Sequence, residues 1–342
     1  MTPNPAERSV QQPDERSVSR QAPDPPQASI ADAPPIDPPQ HRARAIIGFV
    51  IGLALFGAAI WVIVSGEHDF AASIDAARHA PWWLVASVLL LPVANWLTVS
   101  ESMRALTNRY GSQTGRPVGR AEMAGLIGSA WLLNYLPMKP GMFGRLAYHK
   151  HINKIRYADS ARVLGFSVSL TGVSLGLLIV VALFVHTGGP AWVWCAAPAV
   201  VLALAAIVTR RRGPWTGRVL YAAFWRYLDS MIWVGRYGAS FALVGSRLSF
   251  ADCVMVAAVS QVALLIPVSG NGLGVREWGV RLATSPAGLL ADVVNRAAEM
   301  AVALPIGLIG SAWSVRRVRA ARRMAGTQSS LGSESATPAE HE

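Results

Sequence analysis

The run AIIGFVIGLALFGAAIWVIV, Ala45–Val64, contains no charged side chain, and its reading decides the fold class. A bilayer core of roughly 30 Å is crossed by about 20 mainly apolar residues in a helix, so this run predicts a transmembrane span. Arg42 and Arg44 precede it, while Glu67, Asp69 and Asp75 follow. Basic residues hold a flank in the cytoplasm, which predicts a cytoplasmic N-terminus.

Upstream, residues 1–42 are rich in Pro, Gln, Ser, Asp and Arg and poor in large apolar side chains. They bury too little to offset ordering entropy and are expected to form a disordered polar cytoplasmic tail. The apolar run comes too late for a cleavable signal, so it is read as a retained helix.

Downstream, the same argument recurs. Pro81-Trp82-Trp83 opens a second span to about Leu106, after a short helical stretch Phe70–Ala80, and Arg104, Arg109, Arg116 and Arg120 return it inside. Further spans are expected over about Val163–Val185, Ala191–Val208, Val219–Val244 and Leu289–Trp313, with residues His186–Pro190 outside and Arg210–Arg212 inside. Arg226, Asp229 and Arg236 lie within the fifth span and must face the bundle or a wet cavity.

Two apolar segments are too short and too broken to be ordinary spans. Ala121–Leu136 runs into Pro137, Lys139, Pro140, Gly141 and Gly144, with Arg145 just beyond; Ala251–Ile266 runs into Pro267, Gly270, Asn271, Gly272 and Gly274, with Arg276 and Glu277 beyond. Proline and glycine free backbone groups that the bilayer core cannot satisfy, so such breaks line protein or a wet cavity. Treating each segment as a re-entrant hairpin also keeps the basic residues Arg316–Arg323 in the cytoplasm.

The two breaks form a weak repeat, and the first hairpin enters from inside while the second enters from outside. The expected fold is an all-α polytopic membrane protein with about six full spans plus two re-entrant hairpins in an inverted repeat. Residues 43–318 form the integral domain, and residues 319–342 form a basic, then polar, cytoplasmic tail. Inverted repeats with discontinuous helices are a way to build a midplane site, which points to a carrier.

Arg145 and Arg276 are candidates to grip an anionic headgroup through bidentate charge-assisted bonds, with snorkelling anchors as the alternative. Glu277 is expected to pair with Arg276 or Arg281, or to titrate with substrate. Asp292, Asn295, Arg296 and Glu299 recur at spacings of three and four and form one polar stripe on the last helix. Arg226 and Asp229 read as a local ion pair, and Lys139 as a headgroup contact.

The formal charge of +11 raises nucleic acid as a partner, but the basic residues sit at the ends of apolar spans and set orientation instead. Cys195 and Cys253 lie inside apolar runs, and His149 and His151 lack ligand-spaced carboxylates, so neither a metal nor a cofactor is expected. Gly270-x-Gly272-x-Gly274 follows no strand and is read as helix-breaking, not nucleotide-binding.

Ile266-Pro-Val-Ser-Gly-Asn-Gly-Leu-Gly-Val-Arg-Glu277 closely resembles the Pro-x-Ser-x-Gly-Gly-x-Gly-x-Arg-Glu signature of the lysylphosphatidylglycerol synthase transmembrane-region family, also called flippase-like. Asn134–Arg145 resembles that family's earlier Pro-Gly-Arg-Gly-Glu box more loosely. Asn271 stands where the usual second glycine would be, and Leu146, Ala147 and Tyr148 follow Arg145 without the expected acid. The resemblance spans about residues 45–320 and implies a domain that moves or accommodates membrane lipids. Lysyl transfer, carried by a separate soluble domain in some members, is not expected.

The leading expectation is therefore a non-enzymatic flippase or carrier in the cytoplasmic membrane for a lipid or lipid-linked anionic substrate. The alternative is a non-transporting accessory protein that scaffolds a lipid- or glycan-modifying enzyme. A membrane transferase ranks last, for want of a base or metal cluster. The sequence is silent on oligomeric state.

Overall fold

The computed structural model describes residues 39–334 except 66, 138, 186–189, 210–213, 266–269 and 285–286. The tail before residue 39, the Arg210–Arg212 cluster, most of the loop before Pro190, Pro267 and the residues after 334 lie outside the described residues.

Every regular element among the described residues is helical. In chain order these are α1 (Pro39–Ser65), α2 (Glu67–Arg78), α3 (Trp82–Gln113), α4 (Arg120–Leu133), α5 (Pro140–His151) and α6 (Tyr157–Val185). They continue with α7 (Ala191–Thr209), α8 (Pro214–Leu243), α9 (Phe250–Leu265), a 3₁₀ turn at Gly270–Gly272, α10 (Val275–Ala283) and α11 (Ala287–Glu334). Among the described residues, five stretches are long and apolar enough to cross a membrane: Ile46–Ser65, Trp82–Gly111, Tyr157–Val185, Ala191–Thr209 and Ala287–Ala321.

The outside of the bundle is greasy, the reverse of a water-soluble surface. On α7 only Ala206 is buried, while Trp192, Val201, Leu204 and Ile207 are exposed. The polar residues turn inward: Arg226, Asp229 and Arg236 of α8 are all buried, as their cost in lipid demands. α8 runs 30 residues and packs along α3, so these two helices form the spine of the molecule.

Besides α2, four helices are shorter than a membrane is thick. At 1.5 Å per residue, the 14, 12, 16 and 9 residues of α4, α5, α9 and α10 span only about 21, 18, 24 and 14 Å. α4 packs on α5 and α9 on α10, giving two helical pairs.

These pairs open at opposite ends of α3. The start of α4 is tied to the C-terminal end of α3, with Arg120 Nε 3.1 Å from Glu101 and the Val118 N–H donating to Asn108 Oδ1 at 2.6 Å. The turn leading into α9 lies at the other end, where Gly245 packs on Ala76 of α2 just before α3 begins.

Some boundaries differ from those read from the sequence. The first break is Asn134–Lys139: Pro137 lies in it, but Pro140 is the first residue of α5, and Gly141 and Gly144 are helical. Proline at a helix start loses no hydrogen bond, so it opens α5 here. Gly141 is needed because its Cα faces the Ala130 backbone too closely for a Cβ. α11 does not stop near Trp313 but continues unbroken through residue 334.

Candidate functional site

The two pairs meet at their tips, over a cluster of buried charges. Both tips use a left-handed backbone, with Lys139 at φ 48° and Asn271 at φ 48°, while Gly272 and Gly274 hold φ 71° and 78°. Gly270 lies against the Tyr135 carbonyl, and Lys139 Nζ donates to the Leu264 carbonyl at 2.6 Å. A cation suits that place because Leu264 lies at the negative C-terminal end of α9.

Glu299 of α11 reads both tips at once. Its Oε1 accepts from Trp131 Nε1 and Tyr135 OH at 2.9 Å each, and from Asn271 Nδ2 at 3.0 Å. Its Oε2 accepts from Arg236 Nη2 at 2.8 Å and from Arg276 Nη1 at 3.2 Å. Five donors on one carboxylate stabilise its charged form in a place where an unpaired charge would be costly.

Around it the charges balance. Arg276 Nε also donates to Asp292 Oδ2 at 3.0 Å, and Asp292 Oδ1 accepts from Tyr237 OH at 2.7 Å. Arg296 Nε lies 2.5 Å from Glu277 Oε1, out of hydrogen-bond alignment, so this is a close charge pair. Arg236, Arg276 and Arg296 thus face Glu277, Asp292 and Glu299, and all six are at most 2% exposed.

The network continues across the spine. Arg236 Nε donates to Asn295 Oδ1 at 2.9 Å and its Nη1 to Asn95 Oδ1 at 3.4 Å, while Asn95 Nδ2 donates to Asp229. Asp229 Oδ2 accepts from Arg226 Nη1 at 3.0 Å, the local pair expected from their spacing, and Arg226 reaches on to Ser167 of α6. Arg276 Nη2 and Arg296 Nη2 make no hydrogen bond although both are buried.

Arg276, Glu277, Asn271, Arg296 and Glu299 are therefore brought together, with Lys139 at the edge of the group. Glu277 pairs with neither Arg276 nor Arg281. Arg276 turns to the acids of α11 and leaves Glu277 to Arg296, because α10 lies against the polar stripe of that helix. Arg145 stands apart. It lines a cavity of about 450 Å³ between α4, α5 and α11, together with His151, Ser129, Ser311 and Arg319, and among the described residues no carboxylate lies within ion-pair distance of it.

A second polar knot ties the open end of the first pair to α11. Glu122 accepts from Tyr148 OH at 2.9 Å and Asn153 Nδ2 at 3.3 Å, and pairs with Arg317 at 3.2 Å. Beside it His149, 3% exposed, has its pKa pushed down to about 4 by burial. No group of three or more His, Cys, Asp or Glu residues able to hold a metal occurs among the described residues.

Asn95, Trp131, Tyr135 and Tyr237 were not singled out from the sequence. Asn95 offered a signal, as the one amide in the apolar run from Trp82 to Leu97. The aromatic residues offered none, since Trp and Tyr in a span read as interface or core.

No family model matches this chain, and no match is found among curated proteins or solved structures.

Proposed function

We propose that this chain is a flippase-like carrier that moves a lipid or lipid-linked anionic substrate between the leaflets. On this reading α8 is a sixth span, α4–α5 and α9–α10 are re-entrant pairs, and α3–α6 and α8–α11 are inverted repeats. The end of the bundle holding Arg104, Arg120, Arg156 and Arg317 faces the cytoplasm.

The observation that carries the reading is the meeting of two short helical pairs, opened at opposite ends of α3, over the Glu299 network. Helices that stop at mid-depth need a reason to stop, and substrate handling supplies one. The resemblance of residues 266–277 to the flippase-like signature supports the same class.

The chemistry follows from the charge balance. An anion reaching the Arg145 cavity meets a guanidinium with no competing carboxylate among the described residues. Going deeper, it exchanges with Glu299 for Arg236 and Arg276, whose planar forks suit phosphate as well as carboxylate. Anion and carboxylate alternate on the same guanidiniums, so the buried charge stays compensated throughout.

The test is leaflet exchange in vesicles reconstituted with the purified chain, using fluorescent phosphatidylglycerol and lysyl-phosphatidylglycerol. The expected result is accelerated crossing of at least one, lost in Arg145→Ala. Unaccelerated crossing of every anionic lipid tested would oppose the proposal.

A second reading is favoured by a specific observation: three Arg and three carboxylates already balance one another in charge, as in a structural core. This supports a non-transporting scaffold for a lipid- or glycan-modifying enzyme, and co-purification of such an enzyme with no lipid crossing would select it.

A further inference from the structure

A separate cavity of about 700 Å³ lies at the basic end of the bundle, between the end of α3, the start of α4, the end of α7 and the start of α8. Its volume falls in the range of sites for small ligands, roughly 300–1,000 Å³. Three guanidiniums from three elements converge on it: Arg104 of α3, Arg120 of α4 and Arg218 of α8. No carboxylate lines it among the described residues. Glu101, outside the lining, pairs with both Arg104, at 2.7 Å, and Arg120, at 3.1 Å. Arg218 Nη1 is held in place by donating to the Asn108 carbonyl at 2.6 Å.

The opposite wall is apolar. Ala203, Ala206 and Ile207 of α7 provide it, and Ile207 is 66% exposed on the outer face of a helix that buries almost nothing. The cavity therefore joins a cationic floor to a greasy side on the lipid-facing periphery.

We infer that this cavity is a binding site for an anionic phospholipid of the adjoining leaflet, with the headgroup phosphate on Arg104, Arg120 and Arg218 and the first acyl methylenes on α7. A phosphate takes charge-assisted bonds from several guanidiniums at once. Inorganic phosphate shares the headgroup chemistry but leaves the apolar wall bare, so the site selects the lipid. The site does not rest on carriage of any substrate: it shares no residue with the Glu299 network or the Arg145 cavity.

The experiment uses the full chain in nanodiscs containing phosphatidylglycerol and phosphatidylcholine, with lipids retained on release counted by native mass spectrometry. Wild type retains phosphatidylglycerol over phosphatidylcholine, and millimolar inorganic phosphate leaves it in place. Arg104→Gln with Arg218→Gln weakens retention about tenfold or more, the expected loss for hydrogen bonds to a charged group. Should that pair fail to fold, Ile207→Trp, which fills the wall from the exposed side, and Arg120→Gln, on a side chain 75% exposed, give the same loss. Arg78→Gln at the far end of the bundle retains lipid as wild type does. Unchanged retention in the folded pocket variants, equal retention of phosphatidylcholine, or displacement by inorganic phosphate overturns the site.

Discussion

Glu299 of α11 holds Arg236 of α8 at 2.8 Å with both side chains 1% exposed, and the same carboxylate joins the tips of two helical pairs that open at opposite ends of the bundle. Removing the carboxylate takes from Arg236 its carboxylate partner and leaves Arg276 with Asp292 alone. Glu299→Ala is expected to cost about 3 kcal/mol or more, the usual loss when one partner of a buried pair is deleted. Glu299→Gln keeps the shape and loses less. Thermal unfolding in detergent checks both.

The Glu277 and Arg296 pair predicts coupling between α10 and α11. Each single change, Glu277→Gln or Arg296→Gln, destabilises by leaving the other charge buried, and the double change costs less than their sum by about 1–3 kcal/mol. Additive losses in a double-mutant cycle would show that the 2.5 Å approach carries no energy.

Two glycines separate close packing from open space. A Cβ at Gly270 runs into the Tyr135 carbonyl, whereas one at Gly144 of α5 meets nothing within 4 Å. Gly270→Ala is expected to destabilise by about 1–3 kcal/mol through overpacking at the tips. Gly144→Ala is expected to stabilise by up to about 1 kcal/mol, since alanine is the better helix former. Unfolding measurements on the two variants give opposite signs.

His149 sets a pH dependence at the open end of the first pair. Burial, against an opposing hydrogen bond from Asn153, lowers its pKa from 6.5 to about 4, with Arg145 adding to the shift and Glu122 opposing it. The unfolded chain then binds a proton that the folded chain refuses between about pH 6.5 and 4, so stability falls as pH drops through that window and levels below it. A shift of this size corresponds to about 3 kcal/mol in total. Melting of wild type from pH 7 to pH 4.5, compared with His149→Gln, checks it: the variant's curve is flatter.

Much of this architecture was legible in the sequence, because bilayer thickness makes helix length informative. The run Ala45–Val64 and the short segments before Pro137 and Pro267 are told apart by counting residues. The stripe Asp292, Asn295, Arg296 and Glu299 was visible as helical spacing, and its burial follows from the cost of charge in lipid. Partner choice was not legible. Whether Arg276 turns to Glu277 beside it or to Asp292 sixteen residues on depends on how α10 lies on α11, and no local rule states that angle. Gly141 was misplaced as a break for a related reason: glycine serves close approach as well as bending, and spacing alone does not separate the two uses; Gly144, with open space beside it, is helical without either need.

The central claim is that the two helical pairs enter the bilayer from opposite faces. Single cysteines at Gly119, before α4, and Arg247, before α9, both on exposed positions, test it in sealed cells with a membrane-impermeant maleimide. The account predicts labelling of Arg247→Cys in intact cells and of Gly119→Cys only after permeabilisation. Labelling of both from the same side would contradict it.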